Sequence, residues 1–191
     1  MVDGSFPFAS INRIRRANED LEKSRLNIGS LSSLLRNYWH MFLGEIVRTS
    51  YYFKKNDERI DTLLAIPDIQ VSNIKDHWQI IECAQPIKTV PDEEIEKLDP
   101  KYRDAFSRAE KGLDMRLACD ALSTAATGRI TDFAFMINDR DYIPMLEALQ
   151  RFGCCTYLTT LYSEPPNKML LDICDRYISL DQQAVKNLFN I

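Results

Sequence analysis

The strongest constraint lies in the second half of the chain, where short apolar runs alternate with helix-length segments. Residues 113–127 (LDMRLACDALSTAAT) have helical character and stop at Gly128. Residues 132–138 (DFAFMIN) form an apolar run of strand length that ends in Asp139-Arg140-Asp141. Residues 142–152 (YIPMLEALQRF) return to helix, with Pro144 in the first turn, where a missing N–H costs little, and Gly153 at the end. CCTYLTT (154–160) reads as another apolar strand, and a turn with Pro165-Pro166 comes next. The helix NKMLLDICD, the short strand RYISL and a terminal helix DQQAVKNLF complete the chain. Strands that are apolar almost throughout are buried on both faces. Alternating with helices, they predict an α/β fold of three layers around a central, mostly parallel sheet. Right-handed crossovers place all the strand carboxyl ends on one edge, where open α/β sheets bind their ligands.

The first half is less regular. Met1-Val2 is the only apolar lead before Asp3-Gly4, which leaves room for a very short first strand. Residues 10–26 are polar and helix-compatible, and 30–43 carry Leu31, Leu34, Leu35, Tyr38, Trp39 and Phe42 at helical spacing. A strand is expected over 45–53, a short helix before Pro67, and a strand over 78–84. The proline-bounded acidic stretch around 85–105 reads as a loop or lid inserted in one domain spanning 1–191. That length suits a single domain with its own core.

Charge narrows the partners. With 24 Lys and Arg against 28 Asp and Glu, the formal net charge is −4. This excludes a broadly basic nucleic-acid coat but not local recognition of a polyanion. The five cysteines include no CxxC pair, which fits free thiols in a reducing compartment. His40 and His77 lack zinc-ligand spacing. No GxGxxG or GxxxxGK[ST] loop is present, so dinucleotide and P-loop nucleotide roles are not expected. No secretory leader or membrane span is expected either, and the default location is cytoplasmic.

Chemistry concentrates at the expected ligand edge. Asp139 and Asp141 come directly after an apolar strand and sit at the start of a helix. Helix capping by Asp141 beside a solvated Asp139 would account for them, as would a bound cation. Asp3 reaches the same edge if Val2 belongs to a central parallel strand. Asp114, at the start of the helix over 113–127, supplies a fourth carboxylate. Asp120 lies six residues later, about 240° around that helix, and suits a supporting or pairing role instead. Carboxylates that converge raise one another's pKa unless cations neutralise them. Hard oxygen donors of this kind suit Mg²⁺ or Mn²⁺ and metal-borne phosphodiester hydrolysis.

The run KGLDMRLACDALSTAATGRITDFAFMINDRDYIPMLEALQRFGCCTYLTT resembles the NYN domain, or LabA-like family, of the PIN-like nuclease superfamily. Lys111, Gly112, Asp114 and Asp120 match its Lys-Gly-x-Asp and following helix. Asp139, Asp141, Pro144 and Gly153 match its paired aspartates and the next helix, Asp175 and Leu180 its closing segment, and Asp3-Gly4 its opening. Phe6 stands where the family often has Asn, and Asn138 where Ser or Gly precedes the paired aspartates.

The resemblance implies a Rossmann-like PIN fold and a metal-dependent ribonuclease. Asp3, Asp114, Asp139 and Asp141 would be the catalytic carboxylates and ligands of Mg²⁺ or Mn²⁺, supported by Asp120 and Asn138. Lys111, Arg140, Arg13 and Arg16 are candidate contacts to RNA, expected to be single-stranded, and Arg15 extends the same basic run. A homodimer is the default assembly. Tyr51, Tyr52 and Phe53 offer a candidate stacking ring, although strand alternation sends at least one into the core. Trp39 and Trp78 read as packing anchors. Two rival readings remain: a weakly active or inactive PIN-like module that binds RNA or a protein, to which Phe6 points, and a small-molecule phosphohydrolase on a similar sheet.

Overall fold

The structure, a computed structural model, describes residues 1–17, 35, 38–41, 43–44, 46–54, 78–83, 92–97, 111–162 and 164–183. The strands are β1 (Val2–Asp3), β2 (Thr49–Lys54), β3 (Trp78–Cys83), β4 (Asp132–Phe135), β5 (Cys155–Leu161) and β6 (Arg176–Leu180). The helices are α1 (Ser5–Ala17), α2 (Asp92–Glu96), α3 (Lys111–Ala126), α4 (Ile143–Arg151) and α5 (Lys168–Ile173). A 3-10 turn, Arg140–Tyr142, precedes α4. The expected helix before Pro67 and most of the 85–105 insertion lie outside the described residues, as does the terminal helix beyond Gln183.

Every strand pairing among the described residues is parallel. β1, β2 and β3 form one ladder, and β4, β5 and β6 another. Val2 bridges to Met136 in parallel and joins the two. Asp3 N donates to Met136 O at 3.1 Å, and Met136 N to Met1 O at 3.0 Å. The spatial order is therefore β3-β2-β1-β4-β5-β6, with the chain reversing direction across the sheet between β1 and β4. Such a reversal opens a crevice beyond the strand carboxyl ends.

Alternation along the strands builds two cores. Tyr51 and Phe53 of β2, with Val2, Met136, Tyr157 and Leu161, face α1 (Ile11, Ile14) and the helical residues Leu35 and Trp39. Tyr52, Phe133, Phe135 and Leu158 face the other way, against α3, α4 and α5. On α3, Leu113, Leu117, Ala121 and Ala125 repeat every four residues, and the two alanines allow close approach to the sheet. Each large side chain removed from water in these layers contributes about 1.5–3 kcal/mol. Trp39 is an anchor, as expected: it is buried and its Nε1 donates to Thr159 Oγ1 at 2.8 Å. The Trp78 side chain lies outside the described residues. All three of Tyr51, Tyr52 and Phe53 are buried, because β2 is an interior strand covered on both faces, so no stacking ring is offered there.

Element boundaries differ from the sequence reading in instructive ways. α1 begins at Ser5, directly after β1, because Pro7 falls in the first turn, where no N–H is needed. β4 ends at Phe135, since beyond it only Met136 bridges to the two-residue β1. The helix expected from 142 is a 3-10 turn that becomes α4 at Ile143. All five cysteines are free, as expected.

Two local features hold this arrangement. Gly4 N donates to Tyr52 O at 2.8 Å, and a Cβ on Gly4 would lie 2.5 Å from Phe53 Cε1 and 2.6 Å from Tyr52 O. Only glycine lets the chain turn from β1 into α1 this close to β2. On the other side, Asp175 Oδ2 accepts from Thr156 N and Thr156 Oγ1, both at 2.7 Å, and so fixes where β6 begins pairing with β5. Burial opposes ionisation of Asp175, but these hydrogen bonds outweigh it and hold its pKa below the ordinary value.

Gly4→Ala is expected to destabilise the protein by on the order of 1–3 kcal/mol, read as a lowered urea midpoint. Asp175→Ala is expected to cost about 1–2 kcal/mol at neutral pH, because it strips a buried amide and hydroxyl of their acceptor. The depressed Asp175 pKa contributes stability that is present above the unfolded carboxyl value of about 3.9 and is lost as pH falls through the folded value. The gap between wild type and Asp175→Ala should therefore narrow in acid, measured by denaturation at a series of pH values.

Candidate functional site

β1 and β4 end side by side at the reversal point, and the residues just beyond the two strands define the site. Asp3 is the last residue of β1. Beyond β4, Asn138 and Asp139 lead into the 3-10 turn. Asp139 Oδ1 accepts from Asp141 N at 3.0 Å and caps that turn. The capping role thus falls on Asp139 rather than on Asp141. Asp114 lies in the first turn of α3, next to the buried Leu113 that ties the helix start to the sheet.

Asp3, Asp114 and Asp139 line one open cleft of about 610 Å³, together with Phe6, Ala9, Asn138, Arg140 and Asn167. Its lining sets three carboxylates beside the apolar Phe6 and Ala9 of α1. Asn138 Oδ1 accepts from Asn167 N at 2.7 Å, and Asn167 Oδ1 in turn caps α5 by accepting from Met169 N at 3.0 Å. The two amides therefore clamp the start of α5 against the end of β4.

Tyr142 is the residue the sequence did not disclose. The 3-10 turn swings it beneath the strand ends, where it is buried. Its hydroxyl faces two carboxylates, Asp114 Oδ1 at 2.7 Å and Asp3 Oδ2 at 3.1 Å. Burial, and then the charges of Asp3 and Asp114, push the phenol far above its ordinary pKa, so it stays protonated as a donor. A buried tyrosine hydroxyl needs a polar partner, which was the only available hint for a Tyr placed just after Asp-Arg-Asp.

The remaining expected site residues fall in several places. Asp141 is exposed and does not line the cleft. Asp120 is engaged elsewhere: Arg116 Nε donates to both its oxygens at 3.0 and 3.1 Å, and Tyr52 Oη to its Oδ2 at 3.3 Å. Arg13 forms an ion pair with Glu164 on the loop after β5. The Lys111 and Arg16 side chains lie outside the described residues. Arg140 is the cation that lines the cleft among the described residues.

Among those residues, no group of three or more His, Cys, Asp or Glu side chains is arranged to hold a metal ion. The donors are hard oxygens of the kind Mg²⁺ or Mn²⁺ requires, but their placement does not fit such an ion. The Tyr142 hydroxyl serves both Asp3 and Asp114, one Asp139 oxygen caps a turn, and Asp141 lies off the cleft.

The fold and site define an α/β sheet protein with an acidic cleft at its topological switch point. The NYN domain family matches residues 8–181. The chain belongs to that family, within the PIN-like nuclease superfamily, a grouping associated with nuclease activity. A crystal structure of a protein of unknown function from Vibrio parahaemolyticus is similar in fold, with a TM-score of 0.53 and 13% identity over 90% of this chain and 89% of that one. No curated protein matches the chain. Among the described residues, no helix is long and apolar enough to cross a membrane.

Asn138→Ala leaves the Asn167 N–H without its acceptor. It is expected to cost about 1–2 kcal/mol, measured as a shifted urea midpoint with an unchanged slope.

Proposed function

We propose that this chain is an RNA-binding PIN-like module whose cleavage activity is weak or absent. The observation that carries the reading is the Tyr142 hydroxyl shared by Asp3 and Asp114, which gives two of the expected metal ligands a partner within the protein. The cleft offers groups that RNA can use without a metal. Arg140 can meet a phosphate, and Asn138 and Asn167 carry side-chain NH₂ groups able to donate to a base edge. Carboxylates repel phosphate but accept hydrogen bonds from ribose hydroxyls, which distinguishes RNA from DNA. Phe6 offers an apolar wall for a sugar or base. Single-stranded RNA suits such a cleft because its sugars and base edges are not held in a duplex.

A second reading is supported by the three carboxylates that line one cleft, and by the family's association with nucleases. In it the protein is a ribonuclease dependent on Mg²⁺ or Mn²⁺, with Asp3, Asp114 and Asp139 as ligands and catalytic groups. Asp141, outside the cleft, would join them only by turning inward.

Labelled single-stranded RNA should bind in the presence of EDTA, measured by fluorescence anisotropy, and should remain uncut on a gel after prolonged incubation with Mg²⁺ or Mn²⁺. Arg140→Glu should weaken binding by about tenfold, the size of one lost charge-assisted phosphate contact and its replacement by a repulsive one. Binding seen only with a divalent ion, with cleavage abolished by Asp139→Asn, would establish the second reading instead.

A further inference from the structure

We infer that Tyr142 sets the metal affinity of the cleft, its hydroxyl standing between Asp3 and Asp114 in the place where a divalent cation would bring those carboxylates together. The inference rests on the reading of the cleft as metal-poor, and extends it by naming one residue that makes it so. Divalent ions gain their affinity for a carboxylate pair by relieving repulsion and completing the oxygens' coordination. Here one hydroxyl does part of both jobs, its oxygen 2.7 Å from Asp114 Oδ1 and 3.1 Å from Asp3 Oδ2.

The Tyr142 ring cannot readily retreat. It is buried and packs in the core formed by α3, α4 and the sheet, and it is held by the 3-10 turn whose Tyr142 N donates to Asp139 O at 3.3 Å. An incoming cation that took Asp114 Oδ1 and Asp3 Oδ2 would have to displace the hydroxyl from both. Phe6 and Ala9 add no oxygen, and Asn138 Oδ1, Asn167 Oδ1 and Asp139 Oδ1 already accept backbone N–H bonds.

Removing only the hydroxyl should therefore create affinity. In Tyr142→Phe the ring still fills its place, while Asp3 and Asp114 lose the donor they share. Their repulsion then favours uptake of a cation.

The test is Mn²⁺ binding to the full chain at neutral pH, followed by the loss of the free-ion electron paramagnetic resonance signal. Wild type should bind Mn²⁺ only weakly, and Tyr142→Phe about tenfold or more tightly, the scale on which single supporting groups change metal affinity. Adding Asp114→Asn to Tyr142→Phe should return binding to the wild-type level. Tyr142→Met, which also lacks the hydroxyl but is more adaptable, serves as a second variant should Tyr142→Phe fold poorly by circular dichroism. Micromolar Mn²⁺ binding by wild type, or folded hydroxyl-less variants whose affinity stays within threefold of wild type, would overturn the inference. RNA binding by wild type in EDTA is scored separately. A failure there strikes the proposed function while leaving the role of Tyr142 to be decided by the Mn²⁺ measurements.

Discussion

Two residues, Val2 and Asp3, join the halves of the sheet. Their backbone pairs with Tyr51 and Tyr52 of β2 on one side and with Met136 beyond β4 on the other. Without the bridge from Val2 to Met136 there would be two three-stranded ladders, each with an exposed inner edge. With it, the six strands share one direction and both cores run across the seam. The close passage of Gly4 beside Tyr52 and Phe53 is a consequence, because the chain must leave β1 for α1 with no room for a side chain.

The same seam makes the cleft. A strand ending on each side of a reversal point delivers Asp3 from one half of the sheet and Asn138 and Asp139 from the other. α3 adds Asp114 from the layer below, and α1 adds Phe6 and Ala9. Tyr142 then links the layers, since its hydroxyl touches a carboxylate from β1 and one from α3 while its ring belongs to the core beneath. The cleft is thus both a surface feature and a continuation of the packing.

Much of this was legible in advance. Asp139 could be placed beyond a strand's carboxyl end from sequence because an apolar run leads into Asp-Arg-Asp and a proline-started helix, although capping and cation binding both accounted for it. The place of Asp114 came from its position at the start of an apolar-striped helix, and the free cysteines from their scatter. Other features depended on partners distant in sequence. Strand alternation exposes one face of Tyr51, Tyr52 and Phe53 unless the strand is interior, and only the neighbours on both sides and both faces bury all three. Arg13 is a basic side chain on a polar helix until Glu164, far along the chain, lies opposite it. Asp120 shares a helix with Asp114 yet turns to Arg116 and Tyr52, as the helical rotation between them requires.

The sequence by itself determined the alternation of elements, the parallel sheet and the gathering of acids at its carboxyl edge. These arise from local periodicity and from the handedness of crossovers. Tertiary structure alone decided which of those acids meet and what stands between them. A 3-10 turn in place of a first α-helical turn sends one phenol inward, and its two partners come from 139 and 28 residues away. No periodicity encodes such a contact, because it depends on where three separate elements stop relative to one another.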